Sequence, residues 1–590
     1  MRRAKIVCTL GPASDDRATI RALADAGMSV ARLNASHGDT DHRGEVIDRI
    51  RAVDDATDAP LAAMLDLQGP EIRTAEIDEP IEVTTASEVL FVEEDTATPE
   101  RIGVTHAITE TEPGDRVLLD DGRIEATVIA MTDDGVRARV DSGGELGSRK
   151  GVNIPGVDLG LPTITEADER ELDLVTDHDV DFVAASFIGD AGDVYAVADA
   201  LEERGASDIP VVAKIERADA VENLDGIVDA AYGVMVARGD LGVECPLEDV
   251  PMVQKRIIRK CMDTGTPVIT ATEMLDSMVH SRRPTRAEAS DVANAVLDGT
   301  DAVMLSGETA IGDHPVRVVE TMDRIVSRIE ASDEYAETRE DRVPLAQAES
   351  RTEPLARSAR FLARDTDAAA VVAASESGYT ARKTAKFRPA VPVVATTPSD
   401  RVRRQLALSW GVRPMYADYH SSIEEVMDSA VSAALETGAA ESGDTIVVLS
   451  GMMTELEGTN TTNTLKLHVA AETIATGRHV VGGRVSGTLR RLPDGDLTGV
   501  PEGTIAYLPA RFDAEFTGDT GKLAGIIDAR AGMTGYPALV AREIGIPMVS
   551  GAPLADDVTD DTTVTVDAER GVVYEEAVGR EDISGRERDY

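Results

Sequence analysis

Lys214, Glu216 and Asp240 have the residue types and spacing to act together on an anion. Two carboxylates can share a small, hard cation, and an ammonium beside them can meet a negatively charged group. Lys214 and Glu216 are two residues apart, so on an extended strand they project to one side. The surrounding stretch, VVAKIERADAVENLDGIVDAAYGVMVARGDLGVE (211–244), reads as strand, helix, strand, with the charges at or near the strand ends. Parallel strands lie about 5 Å apart, close enough for Glu216 and Asp240 to hold one ion. The combination suits a metal-assisted reaction on an anionic substrate. Strand-end charges facing water are the ordinary alternative. Two neighbouring ends reading KIE and RGD, with glycine beside the second, weigh against it.

The elements that must position these residues are visible along the first half of the chain. KIVCTLG, SVARLNAS, LAAMLDLQ, DFVAASF, VVAKIE, GVMVARGD, PVITATEM and DAVMLSGET are eight short apolar runs, most of them separated by amphipathic helical stretches. Eight β/α repeats predict an α/β protein built on a (β/α)8 barrel, with its site at the strand carboxyl ends. Asn34, Ser36, Asp66, Arg73, Glu216, Asp240 and Thr272 all cluster there. The expected barrel covers 1–74 and 155–345. Residues 75–154 change to short alternating segments with PGD, DDG and SGG turns, which predicts an inserted all-β lid able to close over the site. Residues 351–475 resume β/α alternation as an open α/β domain, and 477–590 read as a mostly β, small-residue-rich domain. Two turn-rich polar segments stand out, SESGYTARKTAKFRP (375–389) and EGTNTTNTLK (457–466). In the first, Ser375, Ser377, Gly378 and Thr380 precede a helix opening near Thr380, where hydroxyls and backbone amides can hold phosphate; a plain N-cap is the alternative.

Composition narrows the function classes. The chain has 590 residues, 42% of them hydrophobic, and a formal net charge of −49 from 108 acidic and 59 basic residues. Such a surface opposes nucleic acids and anionic membranes and suits high salt, where self-repulsion is screened. Only nine residues are lysine, which gives weight to Lys150 and Lys214. Cys8, Cys245 and Cys261 form neither a metal-ligand spacing nor a disulfide framework, in keeping with a reducing cytoplasm. The N-terminal apolar run is too short for a signal peptide or a membrane span.

Taken in order, MRRAKIVCTLGPAS, ARLNASHG, MLDLQGPEIRT, RKGVNIPG, DFVAASF, AKIER, MVARGDLGVE, PVITATEMLDSM and RPTRAEASDVANAVLDGTDAVMLSGETAIGDHP resemble the pyruvate kinase family over about residues 1–475. The resemblance implies phosphoryl transfer from phosphoenolpyruvate to ADP, giving ATP and pyruvate, as the last step of glycolysis. It implies Mg²⁺ or Mn²⁺ on Glu216 and Asp240, and Lys214 at the phosphoryl group in transfer. Arg32 would contact the substrate phosphate and Gly239 its carboxylate, with Thr272 near the enolate carbon. Arg73 and Lys150 would lie on the nucleotide side. His37 of the ASHG motif is a further nucleotide contact or a structural strand-end histidine. Asn34, Ser36, Asp66 and the Leu67 carbonyl match the K⁺ site. The proton donor to the enolate is Thr272 acting through water, or else Lys214. A cytoplasmic homotetramer with an allosteric third domain is also implied.

Several positions depart from the family pattern. Leu67 and Gln68 stand where threonine and lysine are common, while Glu71 is the residue that accompanies K⁺ dependence. Residues 375–380 match the family's effector phosphate loop, but Glu376 stands where sugar-bisphosphate-responsive members carry lysine. That reversal points to a mononucleotide, a sugar monophosphate or no effector. The last 115 or so residues resemble the swivelling phosphohistidine domain of phosphoenolpyruvate-using enzymes, with AGMTGYPALVAREIGIP in place of GGxTSHAAIVARELGIP. Tyr536 falls at the histidine position, so the domain is expected to be structural or regulatory. A phosphoenolpyruvate synthase or dikinase is disfavoured by that loss and by the absence of an ATP-grasp-sized region. A catalytically dead sensor is disfavoured by intact Lys214, Glu216, Asp240 and Thr272.

Overall fold

A computed structural model describes residues 2–157, 159–418, 422–451, 462–471, 473–555 and 558–575. The chain forms two compact units. One comprises 1–349, 376–388 and 399–416; the other comprises 350–375, 389–398 and 417–590.

The first unit holds a closed barrel of eight parallel strands: β1 (Lys5–Leu10), β2 (Val30–Asn34), β3 (Ala62–Asp66), β4 (Phe182–Ala185), β5 (Val211–Ile215), β6 (Gly233–Ala237), β7 (Val268–Ala271) and β8 (Ala302–Leu305). Each pairs with its neighbours in sequence, and β8 pairs with β1. These are the eight runs expected from the sequence. Strand alternation sorts the side chains into two cores. Val7, Val30, Ala62, Met64, Phe182, Ala184, Val212, Met235 and Ile269 fill the barrel interior. Their neighbours Ile6, Cys8, Ala31, Ala63, Leu65, Val183, Ala213 and Val234 pack outward against the helices. The period that fills the lower interior with apolar side chains also fixes which residues point inward at the carboxyl ends.

Helix boundaries follow local chemistry. Thr285 and Glu288 form a capping box that starts the helix Arg286–Asp298, and Gly299 ends it in the left-handed conformation at φ 104°. Thr165 and Asp168 start Glu166–Asp177 in the same way. Ala407 and Leu408, within the segment 399–416, join the apolar residues inside the barrel. Arg404 bonds Asp181 at 2.7 Å and Arg403 bonds Asp54 at 3.0 Å. That segment packs with the barrel although its sequence reads as part of the third α/β domain.

The inserted segment, expected from the sequence to be a lid, forms an eight-stranded, mostly antiparallel sheet, accompanied by a two-stranded one formed by Ile81–Val83 and Gly144–Leu146. Its core uses the same alternation: Ile124, Ala126 and Val128 face Val136, Ala138 and Val140.

In the second unit, Val393–Thr397, Ala370–Ala374 and Thr445–Ser450 are parallel and Thr464–Val469 is antiparallel to the last. Residues 457–461 of the polar stretch 457–466 lie outside the described residues; its last three residues enter this strand. Beyond it, a mixed eight-stranded sheet and the helix Tyr536–Ile544 make the C-terminal domain.

Candidate active site

The inward rows of β1 to β5 end in a polar cluster. Thr9 lies two residues after Val7, Arg32 two after Val30, Asp66 two after Met64, Ser186 two after Ala184, and Lys214 two after Val212, with Glu216 next in the row. Arg32 Nε donates to Asp66 Oδ2 at 2.5 Å, and its Nη1 donates to Thr9 Oγ1 at 2.9 Å. Lys214 Nζ stands 2.8 Å from Glu216 Oε1 and 3.3 Å from Asp66 Oδ1, and donates to Ser186 Oγ at 2.7 Å. Glu216 Oε2 accepts from the Phe187 amide at 2.8 Å. Asp66 is 0% exposed and Glu216 2%, so these charges interact through protein rather than water.

Electrostatics follow from that burial. Burial alone pulls the Lys214 ammonium down, but Asp66 and Glu216 outweigh it and raise its pKa above the ordinary lysine value. Burial likewise works against the Asp66 carboxylate, yet Arg32 and Lys214 hold its pKa below the ordinary range. Asp240 differs. Burial, followed by repulsion from Glu216, pushes it up to about 7. It occupies the first turn of the short helix Arg238–Glu244, one step beyond the end of β6. The cluster thus holds three carboxylates against two cations: Arg32 pairs with Asp66, and Lys214 is shared between Asp66 and Glu216. The excess negative charge lies at Asp240 and the neighbouring Glu216, which shares Lys214 with Asp66, and this fits a divalent cation. Among the described residues no group of three or more His, Cys, Asp or Glu side chains is arranged to hold a metal. A two-carboxylate site would leave further coordination positions to substrate oxygens and water.

Gly239 and Thr272 meet beside this cluster. The Gly239 amide donates to Thr272 Oγ1 at 2.9 Å, and that hydroxyl donates to the Ala271 carbonyl at 2.7 Å. Thr272 and Glu273 both have left-handed backbones, at φ 66° and 51°, an uncommon state for such residues. Arg238 holds this turn: its Nε donates to the Ala271 carbonyl at 3.0 Å and its Nη2 to the Thr272 carbonyl at 2.6 Å. Asp291 anchors the guanidinium at 2.6 Å.

Asn34, Ser36 and His37 lie on the loop after β2. Asn34 Oδ1 accepts from the Ser36 amide at 3.2 Å, and His37 is exposed. Arg43, buried against Glu171, donates to the His37 carbonyl at 2.5 Å and fixes the loop from beneath. The Leu67 carbonyl accepts from Ser186 Oγ at 2.7 Å. On the inserted β domain and its junction, Arg73 pairs with Glu71 at 2.7 Å and Lys150 with Asp120 at 2.8 Å. Asp121, next to Asp120, is the least of the charges that raise Asp240. Arg32, Asp66, Lys214, Glu216 and Asp240 therefore form one electrostatic group, whereas Arg73 and Lys150 are held by carboxylates of their own.

In the loop expected to bind an effector, the Ser375 amide donates to the Thr396 carbonyl at 2.9 Å. Ser377 is exposed, Thr380 is buried, and Gly378 precedes the helix Tyr379–Lys386 at φ 73°.

Sequence reasoning passed over Ser186, Thr9, Arg43 and Arg238. The period-two row two residues beyond Ala184 and Val7 signals the first two. Nothing in the local pattern signals the Arg43–Glu171 or Arg238–Asp291 pairs, which join distant segments.

A closed β/α barrel with a lysine, an arginine and paired carboxylates at its strand carboxyl ends defines a barrel phosphotransferase acting on a small anion. Residues 1–319 match the family model described as pyruvate kinase, barrel domain. Residues 353–468 match pyruvate kinase, alpha/beta domain, and 501–571 match PEP-utilising enzyme, mobile domain. The chain is 42% identical over 584 residues to a pyruvate kinase of Staphylococcus aureus strain MRSA252, covering 98% of this chain and 99% of the relative. It is 40% identical over 585 residues to that of Bacillus licheniformis, covering 97% and 99%. A crystal structure of a pyruvate kinase from Cryptosporidium parvum superposes with a TM-score of 0.74 at 35% identity, over 80% of this chain and 96% of that one. The chain belongs to the pyruvate kinase family. It transfers the phosphoryl group of phosphoenolpyruvate to ADP, producing ATP and pyruvate. No helix among the described residues is long and apolar enough to cross a membrane.

Proposed function

We propose that the cluster at the ends of β1 to β6 carries out this transfer with the roles expected from the sequence. The observation that carries the proposal is the charge arrangement: Lys214 is pinned between Asp66 and Glu216, and Asp240 is raised by burial and then by Glu216. Phosphoryl transfer offers the protein little covalent work, so positioning and charge neutralisation dominate. Lys214, held as an ammonium, meets the phosphoryl group in flight. Arg32, oriented by Asp66 and Thr9, binds the substrate phosphate from the other side. The Gly239 amide receives the carboxylate end, Asp240 lies beside it as a metal ligand, and Thr272 faces the enolate carbon. Thr272 delivers the proton through water; Lys214 is the alternative donor. Arg73 and Lys150 approach the nucleotide from the lid, with His37 and the Asn34–Ser36 loop below.

Glu216 and Asp240 would hold Mg²⁺ or Mn²⁺, which supplies Lewis-acid neutralisation of phosphate and enolate oxygens when bound. Asn34, Ser36, Asp66 and the Leu67 carbonyl offer hard oxygens to K⁺. Omitting Mg²⁺ in a coupled assay with phosphoenolpyruvate and ADP is expected to abolish turnover. Glu216→Gln is expected to raise the half-saturating Mg²⁺ concentration at least about tenfold, a loss typical of removing a charged ligand. An unchanged Mg²⁺ requirement in that variant would remove the metal assignment.

For the rest of the molecule, we infer a cytoplasmic homotetramer by analogy with the family. The loop at 375–380 would accept a mononucleotide or a sugar monophosphate, because exposed Glu376 repels a second phosphate. Tight activation by fructose 1,6-bisphosphate would contradict this. The C-terminal domain is taken as structural or regulatory, because tyrosine replaces the phosphoryl-accepting histidine.

A further inference from the structure

The hydroxyl of Ser186 joins two parts of the site. It accepts from Lys214 Nζ at 2.7 Å and donates to the Leu67 carbonyl at 2.7 Å. The directions are forced, since an ammonium can only donate and a carbonyl can only accept. Ser186 is 4% exposed. Gly69, at φ 71°, closes over it, and a Cβ there would lie 2.9 Å from Ser186 Cβ. The hydroxyl is thus buried among these partners, with Asp66 Oδ1 a more distant acceptor at 3.5 Å.

We propose that Ser186 is a positioning residue that couples the monovalent-cation site to Lys214. The inference rests on reading Asp66 and the Leu67 carbonyl as K⁺ ligands. A carbonyl oxygen has two lone pairs, so Leu67 can keep the Ser186 proton and still face a cation. The three protons of Lys214 are shared among Ser186 Oγ at 2.7 Å, Glu216 Oε1 at 2.8 Å and Asp66 Oδ1 at 3.3 Å. The Asp66 contact is the longest and the first to yield. With a cation shared by Asp66 and Leu67, Asp66 holds Lys214 less tightly while Ser186 still holds it. The third ammonium proton then turns to the phosphoryl oxygen. Without the serine hydroxyl, Nζ settles onto the two carboxylates, and the state of Leu67 no longer reaches it.

The test measures phosphoenolpyruvate binding calorimetrically with Mg²⁺ and without ADP, so that no turnover occurs, in K⁺ and in choline at equal ionic strength. Steady-state kcat and melting temperature are measured in parallel. In the wild type, K⁺ is expected to tighten binding about tenfold, within the usual range of site-to-site coupling. Ser186→Ala is expected to keep less than about twofold of that enhancement and to lose about 10- to 100-fold in kcat. Ser186→Thr, which retains the hydroxyl, is expected to restore both. Ser186→Cys, a weaker hydrogen-bonding group of similar size, reads the same coupling if alanine lowers the melting temperature. Undiminished K⁺ enhancement in the alanine and cysteine variants overturns the proposal, whatever their kcat. A Ser186→Thr variant of wild-type melting temperature that behaves like alanine also overturns it. An active wild type with no K⁺ enhancement would instead remove the cation assignment, and the coupling with it.

Discussion

Lys214 and Glu216 occupy one inward row of β5, and the Lys214 ammonium lies 2.8 Å from Glu216 Oε1. The pair is buried: removing Lys214 leaves Glu216 without its cation, and removing Glu216 leaves Lys214 with only Asp66, which Arg32 already shares. Loss of either partner should therefore change chemistry and stability together, and melting curves belong beside every rate measurement at this cluster.

Arg238 is expected to matter beyond its charge. Its fork spans two carbonyls and Asp291, and it holds Thr272 in a left-handed backbone. Lysine offers a single point of attachment and cannot reproduce that geometry. Arg238→Lys should lower kcat about tenfold or more, in line with small misplacements of catalytic groups, while Thr272→Ser stays near wild type. Equal kcat for Arg238→Lys and wild type would show that Thr272 needs no such support.

Lys5 provides a pH test on the opposite end of the barrel. Burial pulls its amine from 10.5 to about 7, with Arg2 adding to the effect, while Nζ donates to the Val412 carbonyl at 2.7 Å. Between these values the unfolded chain binds more protons than the folded one, so stability rises with pH across that window. Below pH 7 both states are protonated and the full cost of the buried charge remains. Lys5→Met should flatten the rise between about pH 7 and 10 and remove a pH-dependent difference on the order of 5 kcal/mol. Parallel stability curves for the two proteins, from denaturant titrations at each pH, would contradict the assignment.

Tyr536 should carry no phosphoryl group. It starts the helix Tyr536–Ile544, its hydroxyl accepts from the Phe516 amide at 3.1 Å, and its ring lies 5.9 Å from that of Phe516. These contacts tie down the 512–516 segment and use the position where a histidine would act as nucleophile. Incubation with labelled phosphoenolpyruvate should leave no acid-labile label on the chain. Tyr536→Phe should retain activity and lose about 1 kcal/mol of stability, the scale of one hydrogen bond. Stoichiometric acid-labile phosphate would reverse this reading.

The sequence made the barrel legible because eight short apolar runs separated by amphipathic helices have few other solutions. It also made Lys214, Glu216 and Asp240 legible, because strand-end charges in neighbouring repeats must converge. Asp240 was placed near a strand end and lies in the first turn of the helix that follows, since β6 stops at Ala237. Ser186 was hidden by its small size within DFVAASF, although its place in the inward row was available. Arg43 with Glu171, and Arg238 with Asp291, were not legible, because each pair joins residues separated by more than fifty positions and carries no local period. The packing of residues 399–416 with the barrel was hidden for the same reason. Substrate identity came from resemblance, and the spacing only made that substrate chemically sensible.

The most direct measurement compares wild type with Lys214→Met for ATP formation from phosphoenolpyruvate and ADP, with Mg²⁺ and K⁺ saturating. The account predicts a loss in kcat of about 10³-fold or more, as expected for a charge that acts on the transition state, with the KM for phosphoenolpyruvate changed far less. A Lys214→Met protein of wild-type melting temperature that retains more than a tenth of the wild-type kcat would contradict it.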